Sequence, residues 1–220
     1  KLTRSRQLRP GANITQEVTM IYETAVVLRA QATESSIEST KKFIKEVIKA
    51  NKGEVLIEDD WGLKSFAQTT EKGAQNGRYV YFMYKDDGKA NAELERRYGI
   101  TEDIIKFIVI KLGKDEELEK IKGAYRNPNS KPAEDGKGRF DAEKEKKLFA
   151  KRKSCWFSAK KTEPDWKDPS TYSWLVNEFG KISPARITGL RPKYQRSATT
   201  AIKRGRTMGM ISYMSARILK

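Results

Sequence analysis

Residues 78–112 read RYVYFMYKDDGKANAELERRYGITEDIIKFIVIKL and contain two strands with a helix between them. The first eight, RYVYFMYK, are a strand by their aromatic and β-branched content. Side chains alternate across a strand, which puts Tyr79, Tyr81 and Met83 on one face and Phe82 and Tyr84 on the other. A strand wet on one side alternates apolar with polar; this one does not, so helices or a partner must cover both faces. Asp87–Gly88 opens a short helix through Tyr98, with Ala90, Leu94 and Tyr98 spaced by four. DIIKFIVIKL at 103–112 is the last strand. Moving outward, IYETAVVLR at 21–29 is a strand, and Ser35 with Glu38 gives a capping-box signal. Ile37, Ile44 and Ile48, widened by Phe43 and Val47, form the apolar stripe of the helix that follows. Gly53 closes that helix or its turn. Residues 54–68 read as a long strand broken near Trp61–Gly62, and Asn76–Gly77 as a turn. The order is β-α-β-β-α-β, the ferredoxin-like split βαβ arrangement.

Beyond Leu112 the pattern changes. DEELEKIK prolongs the domain as a helix. Four Gly or Pro residues between Asn127 and Gly138, with little apolar content, read as a linker. A second unit follows, with Asp168–Pro169 as a helix start, a stripe of Tyr172, Leu175, Val176 and Phe179, and Gly180 at the end. KISPARITGLRP is a structured loop. A helix from about Lys193 to Met210 has Tyr194, Ala198, Ala201 and Ile202 on one face and Arg196, Lys203 and Arg206 mostly on another. Gly205 and Gly209 are expected to weaken its last turns by about 1 kcal/mol each relative to Ala. The fold class is α+β: a basic arm at 1–16, a ferredoxin-like domain at 17–122, a linker at 123–150 and a small, mostly helical basic unit at 151–220. That unit has few core residues for its length and is expected to need a partner.

The 220 residues carry 45 Lys plus Arg against 29 Asp plus Glu, a net of +16. The excess is uneven: residues 1–127 hold 23 basic and 20 acidic side chains, and residues 128–220 hold 22 and 9. Residues 151–220 alone hold 16 and 4. Such density repels itself unless phosphates or counterions neutralise it, which points to nucleic acid. Three clusters concentrate it: Lys151-Arg152-Lys153, then Arg186 with Arg191, Lys193 and Arg196, then Lys203-Arg204 with Arg206. Trp156, Trp166, Tyr194 and Tyr213 are interleaved, open to base stacking or to burial in a core or interface.

Enzyme chemistry is not supported. There is no histidine, so Ser-His-Asp and Cys-His catalysis are out. Asp59–Asp60 and Asp86–Asp87 read as solvated turn acids, and the lone Cys155 as a small core residue. GKG at 136–138 lacks the ending of a phosphate loop. No cofactor and no small-molecule substrate are expected. No run of eighteen apolar residues exists for a membrane span.

Two resemblances follow from motifs in order. Through YETAVVLR, WGLKSFA at 61–67 and above all AELERRYGITEDIIKFIVIKL at 92–112, residues 20–112 resemble small-subunit ribosomal protein six of bacterial or organellar type. Through KRKSCWFSA, GKISPARITG at 180–189, KYQR at 193–196 and AIKRGRTMGMISY at 201–213, residues 151–213 resemble small-subunit ribosomal protein eighteen. Together these imply a fusion of two proteins that pair on the platform of the small subunit, bind its central-domain rRNA and contact neighbouring ribosomal proteins. Arg186, Lys193, Arg196, Lys203, Arg204 and Arg206 match basic loop and helix positions of the second family and are the expected rRNA contacts. Arg191 and Lys151, Arg152 and Lys153 are expected to supplement them. Tyr79, Tyr81 and Met83 on strand 78–85, with Trp156 and Trp166, are expected to join the two parts. Some members of the second family hold zinc where this chain has Cys155, Ser158, Arg191 and Tyr194, so no metal is expected. The acid-free N-terminus, the missing initial Met and the fusion tilt the expected compartment toward the mitochondrial matrix, with a bacterial cytoplasm as the alternative. The competing reading is a free RNA-binding regulator or chaperone that stacks single strands on Tyr79 or Tyr81.

Overall fold

Strand β1 (Met20–Arg29) pairs antiparallel with β3 (Asn76–Asp86) on one side, in register Ala25 to Tyr81, and with β4 (Ile104–Lys114) on the other. Strand β2 (Glu54–Ser65) pairs antiparallel with β3, giving the order β2-β3-β1-β4. Helices α1 (Glu34–Ala50) and α2 (Lys89–Ile100) make the two crossovers. This computed structural model describes residues 19–70, 73–129 and 154–214. The basic arm, linker residues 130–150 and the cluster Lys151-Arg152-Lys153 lie outside the described residues.

The ring pattern of β3 has its cause in two separate apolar layers. On one face Val80, Phe82 and Tyr84, with Tyr22, Val26 and Leu28 of β1, pack under Ile37, Ile44, Val47 and Ile48 of α1 and Ala90, Leu94 and Tyr98 of α2. On the other, Tyr79, Tyr81 and Met83 join Ile21, Ala25 and Val27 of β1, Trp61 and Phe66, and residues of the C-terminal unit. Each large apolar side chain so buried contributes roughly 1.5–3 kcal/mol.

Several local expectations shift. The cap of α1 is Thr33, not Ser35: Thr33 is extended and its Oγ1 accepts the Ser36 N–H at 3.3 Å, while Ser35 is already helical. The N-cap of α2 is Gly88 at φ 101°, and the first-turn N–H groups are met from the end of β3 by Asp86, which is 2% exposed and not a solvated turn acid: its Oδ2 accepts from Gly88 at 2.8 Å and Ala90 at 3.0 Å. Asn76–Gly77 is no turn but the start of β3, paired with Ser65 and Lys64. Glycine is required there by close approach, since a Cβ would stand 2.5 Å from Val27 and 2.7 Å from Phe66. The break near Trp61–Gly62 is a bulge, with a register shift between Asp60 and Gly62.

Asp59 and Asp60 lie within β2, not at a turn. Burial pushes the Asp60 carboxyl up, but hydrogen bonds from Arg78, Lys41 and the Gly62 N–H outweigh it and hold it below the usual range. A carboxyl lowered by folding stabilises above its unfolded value near 3.8 and loses that contribution as pH falls through the folded value. Asp60→Asn should therefore remove part of the acid sensitivity that sets in below about pH 4 in urea unfolding, by less than about 1 kcal/mol for a partly exposed group. An unchanged acid profile would contradict this.

After β4, a 3-10 turn at Asp115–Glu117 leads into α3 (Leu118–Ala124). The C-terminal unit contains α4 (Trp156–Lys160), α5 (Ala185–Thr188) and α6 (Pro192–Thr207). The helix expected over 168–180 is instead two 3-10 turns, Pro169–Thr171 and Ser173–Leu175. Asp168 does accept the Ser170 N–H at 3.1 Å with Pro169 at the first position. The run then stops because Val176 extends to pair with Ile182, and the Asn177 side chain bonds the N–H groups of Phe179 and Lys181. Tyr172 and Leu175 are buried, but Phe179 is 67% exposed. Helix α6 ends at Thr207, so Gly205 is its buried last-turn residue and Gly209 lies beyond it with φ +75°.

Candidate nucleic-acid interface

The sequence of α6 divides the helix into two sides. Ala198, Ala201, Ile202 and Gly205 are buried. Lys193, Arg196, Thr200, Lys203 and Thr207 recur at alternating steps of three and four, share one stripe and are all exposed. Thr200 and Thr207 donate their hydroxyls back to the carbonyls of Arg196 and Lys203, which leaves the cations as the outward chemistry. Arg204, half-exposed, borders the stripe, and Arg186 on α5 and Arg191 before α6 are exposed. None of Arg186, Arg191, Arg196, Lys203 and Arg204 has an acidic partner among the described residues. Lys193 pairs with Glu163 at 2.8 Å, in a contact where both side chains are largely exposed. Arg206 is turned differently: its Nη2 donates to the Gly180 carbonyl, and its guanidinium lies 5.4 Å from the centre of the Tyr213 ring.

The rings named from sequence as a junction fall in two places. Tyr79 and Tyr81 are fully buried, and the Tyr79 hydroxyl donates to the Met208 carbonyl at 2.6 Å. Burial pushes both hydroxyls up, so they stay protonated as donors. Met83 is buried in the same layer, and Trp166 lies 5.9 Å from Trp61, ring centre to ring centre. Trp156 stays with its own unit, edge-on to Phe157 and Trp174.

Sequence reasoning missed Glu23 and Lys167. Glu23 lies in the apolar strand YETAVVLR and is 1% exposed. Its carboxylate accepts from Tyr81 Oη at 2.8 Å, Trp166 Nε1 at 2.8 Å and Lys167 Nζ at 3.1 Å. The signal was available: Glu23 alternates with Ile21, Ala25 and Val27 on an apolar face, where a lone carboxylate needs a donor set. Tyr125, Asn127 and Asn129, read as linker, also hold this face. Tyr125 stacks on Tyr81 at 4.8 Å and donates to Asp59 at 2.7 Å, and Asn129 donates to the Trp61 carbonyl at 2.7 Å.

The four positions that bear zinc ligands in some relatives of the C-terminal family do not fit zinc here. Cys155 is the one thiol, and its Sγ accepts the Arg191 N–H at 3.4 Å. The Tyr194 ring stacks on Phe157 at 5.7 Å. No group of three or more ligating residues occurs among the described residues.

A ferredoxin-like sheet followed by a basic, mostly helical unit defines an α+β protein, and the exposed cations of α6 are the chemistry that phosphates take. Residues 21–111 match the family Ribosomal protein S6, and residues 160–211 match Ribosomal protein S18. Small ribosomal subunit protein bS6 of Sulfurovum sp. (strain NBC37-1) is 32% identical over 117 residues, 51% of this chain and 91% of that protein. The bS6 protein of Rhodospirillum centenum (strain ATCC 51521 / SW) is 34% identical over 97 residues, 44% of this chain and 59% of that protein. The crystal structure of 30S ribosomal protein S6 from Thermotoga maritima matches at 25% identity and a TM-score of 0.42, covering 48% of this chain and 95% of that one. The chain belongs to the ribosomal protein S6 family and carries an S18-like segment at its C-terminal side, so the two are fused in one sequence.

Proposed function

We propose that this chain is a structural constituent of the small ribosomal subunit that binds small-subunit rRNA on the platform, with two normally separate partner proteins joined covalently. Its family makes it an RNA-binding structural protein and not an enzyme. The observation that carries the rRNA reading is the stripe of Arg196 and Lys203 on α6, exposed and without acidic partners among the described residues. Lys and Arg on such a face neutralise phosphates and fix position without reading sequence. The double substitution Arg196→Ala with Lys203→Ala should weaken binding to a transcript of the rRNA central domain. It should also flatten the slope of log K against log salt by about two. An unchanged slope would sink the assignment.

The same reading has the C-terminal unit docked on the sheet face opposite α1 and α2, beside α3, with residues 123–150 as the tether that raises its effective concentration. The Glu23, Trp166 and Lys167 contacts and the Tyr79–Met208 hydrogen bond support it. They also count against the regulator reading, because Tyr79 and Tyr81 offer no open ring to a single strand. Neighbouring small-subunit proteins are the further partners. No helix among the described residues is long and apolar enough to cross a membrane. A mitochondrial matrix location rests on the acid-free basic stretch at 1–16, against a bacterial cytoplasm, and fractionation decides between them.

A further inference from the structure

We propose that the turn at 177–180 presents Phe179 as a stacking platform for one unpaired base of the RNA held by α6; this rests on the rRNA reading above. Phe179 is 67% exposed. A single exposed apolar ring is ordinary on a protein surface, but this one stands on a turn whose backbone is fixed by four hydrogen bonds. The Asn177 N–H donates to the Lys181 carbonyl at 2.8 Å and the Gly180 N–H to the Asn177 carbonyl at 2.9 Å. Asn177 Oδ1 accepts from the N–H groups of Phe179 at 3.1 Å and Lys181 at 2.7 Å. The base of the turn is clamped by Arg206, which donates to the Gly180 carbonyl. Gly180 lies so close to the C-terminal segment that a Cβ there would stand 2.2 Å from the Tyr213 carbonyl oxygen. In that segment Tyr213 is 57% exposed, with the Arg206 guanidinium over its ring.

The chemistry around the ring selects its occupant. Protein interfaces are depleted of charge at their cores. Here Arg206 donates to the carbonyl of Gly180, the residue after Phe179, Lys181 stands two residues on, and Lys203 lies one turn earlier on α6, against the adjacent acid Glu178. A polyanion that also carries flat π faces satisfies both features. A backbone already held in this turn leaves only the two side-chain torsions of Phe179 to be ordered on stacking.

The test uses the full chain and a transcript of the small-subunit rRNA central domain, titrated over a range of salt. Phe179→Ala should lose roughly 5- to 150-fold in affinity with an unchanged salt slope, because stacking releases no counterions. Phe179→Trp should bind at least as well as the native chain, and Phe179→Leu should not restore binding. If Phe179→Ala binds like the native chain while Arg196→Ala with Lys203→Ala is weakened, the platform is refuted and the rRNA reading stands. Full binding by Phe179→Leu would likewise refute stacking in favour of a plain apolar contact. A native chain that does not bind the transcript at all removes both.

Discussion

Glu23→Ala is expected to lower the unfolding free energy of the full chain by about 3–5 kcal/mol, because it leaves a buried ammonium without its main counter-charge. Lys167 is 7% exposed, and its Nζ reaches Glu23 at 3.1 Å and Asp165 at 3.1 Å. Asp165 is partly exposed, so it supplies some relief and places the loss toward the lower end of that range. The Tyr81 hydroxyl and Trp166 indole N–H lose their acceptor in the same step. An unsatisfied buried donor costs about 1–3 kcal/mol, which is why the total exceeds that of an exposed ion pair. The paired replacement Glu23→Leu with Lys167→Met should recover most of the loss, since it removes both charges at once. Urea unfolding of the three proteins measures this; a Glu23→Ala loss below 1 kcal/mol would show that the carboxylate does not bear on the junction.

Gly209→Ala should cost about 2–4 kcal/mol. Gly209 has φ +75°, where a Cβ costs about 1–2 kcal/mol. That Cβ would stand 2.9 Å from Phe66 Cδ1, in a layer where overpacking costs about 1–3 kcal/mol. The backbone cannot retreat freely, because the Gly209 carbonyl accepts the Ala67 N–H at 2.8 Å. Gly205→Ala should not stabilise either. It gains about 1 kcal/mol of helix propensity, set against a Cβ 2.4 Å from the hydroxyl of Tyr172, itself bonded to the Trp166 carbonyl. Equal thermal stability of Gly209→Ala and the native chain would contradict the assignment. Read as a helix interior, both positions favour alanine; beyond the end of α6 the sign at Gly209 reverses.

The ferredoxin-like order was legible because its signals are local. Alternation in RYVYFMYK and the spacing of Ala90, Leu94 and Tyr98 each need only neighbouring residues. The exposed cations of α6 were legible for the same reason, as a charged stripe opposite Ala198, Ala201 and Ile202. What stayed hidden depends on partners far along the chain. The role of Glu23 is set by Trp166 and Lys167, more than 140 residues away in sequence. Gly77 reads as a turn residue until Val27 and Phe66 close on it. The segment 168–180 carries a good helix start and an apolar stripe, but the pairing of Val176 with Ile182 and the Asn177 side chain, competing for backbone N–H groups, turn it into a reversal.

The outer margin of the sheet at β2 is interrupted by two register shifts, between Val55 and Ile57 and between Asp60 and Gly62, and carries Glu54, Glu58, Asp59, Asp60 and Lys64. An edge this crooked and this charged makes a poor template for a strand from another molecule. Of the sheet's two margins this one is guarded by bulges and acids, whereas β4, the opposite margin, relies on Lys106, Lys111 and Lys114 among its apolar residues.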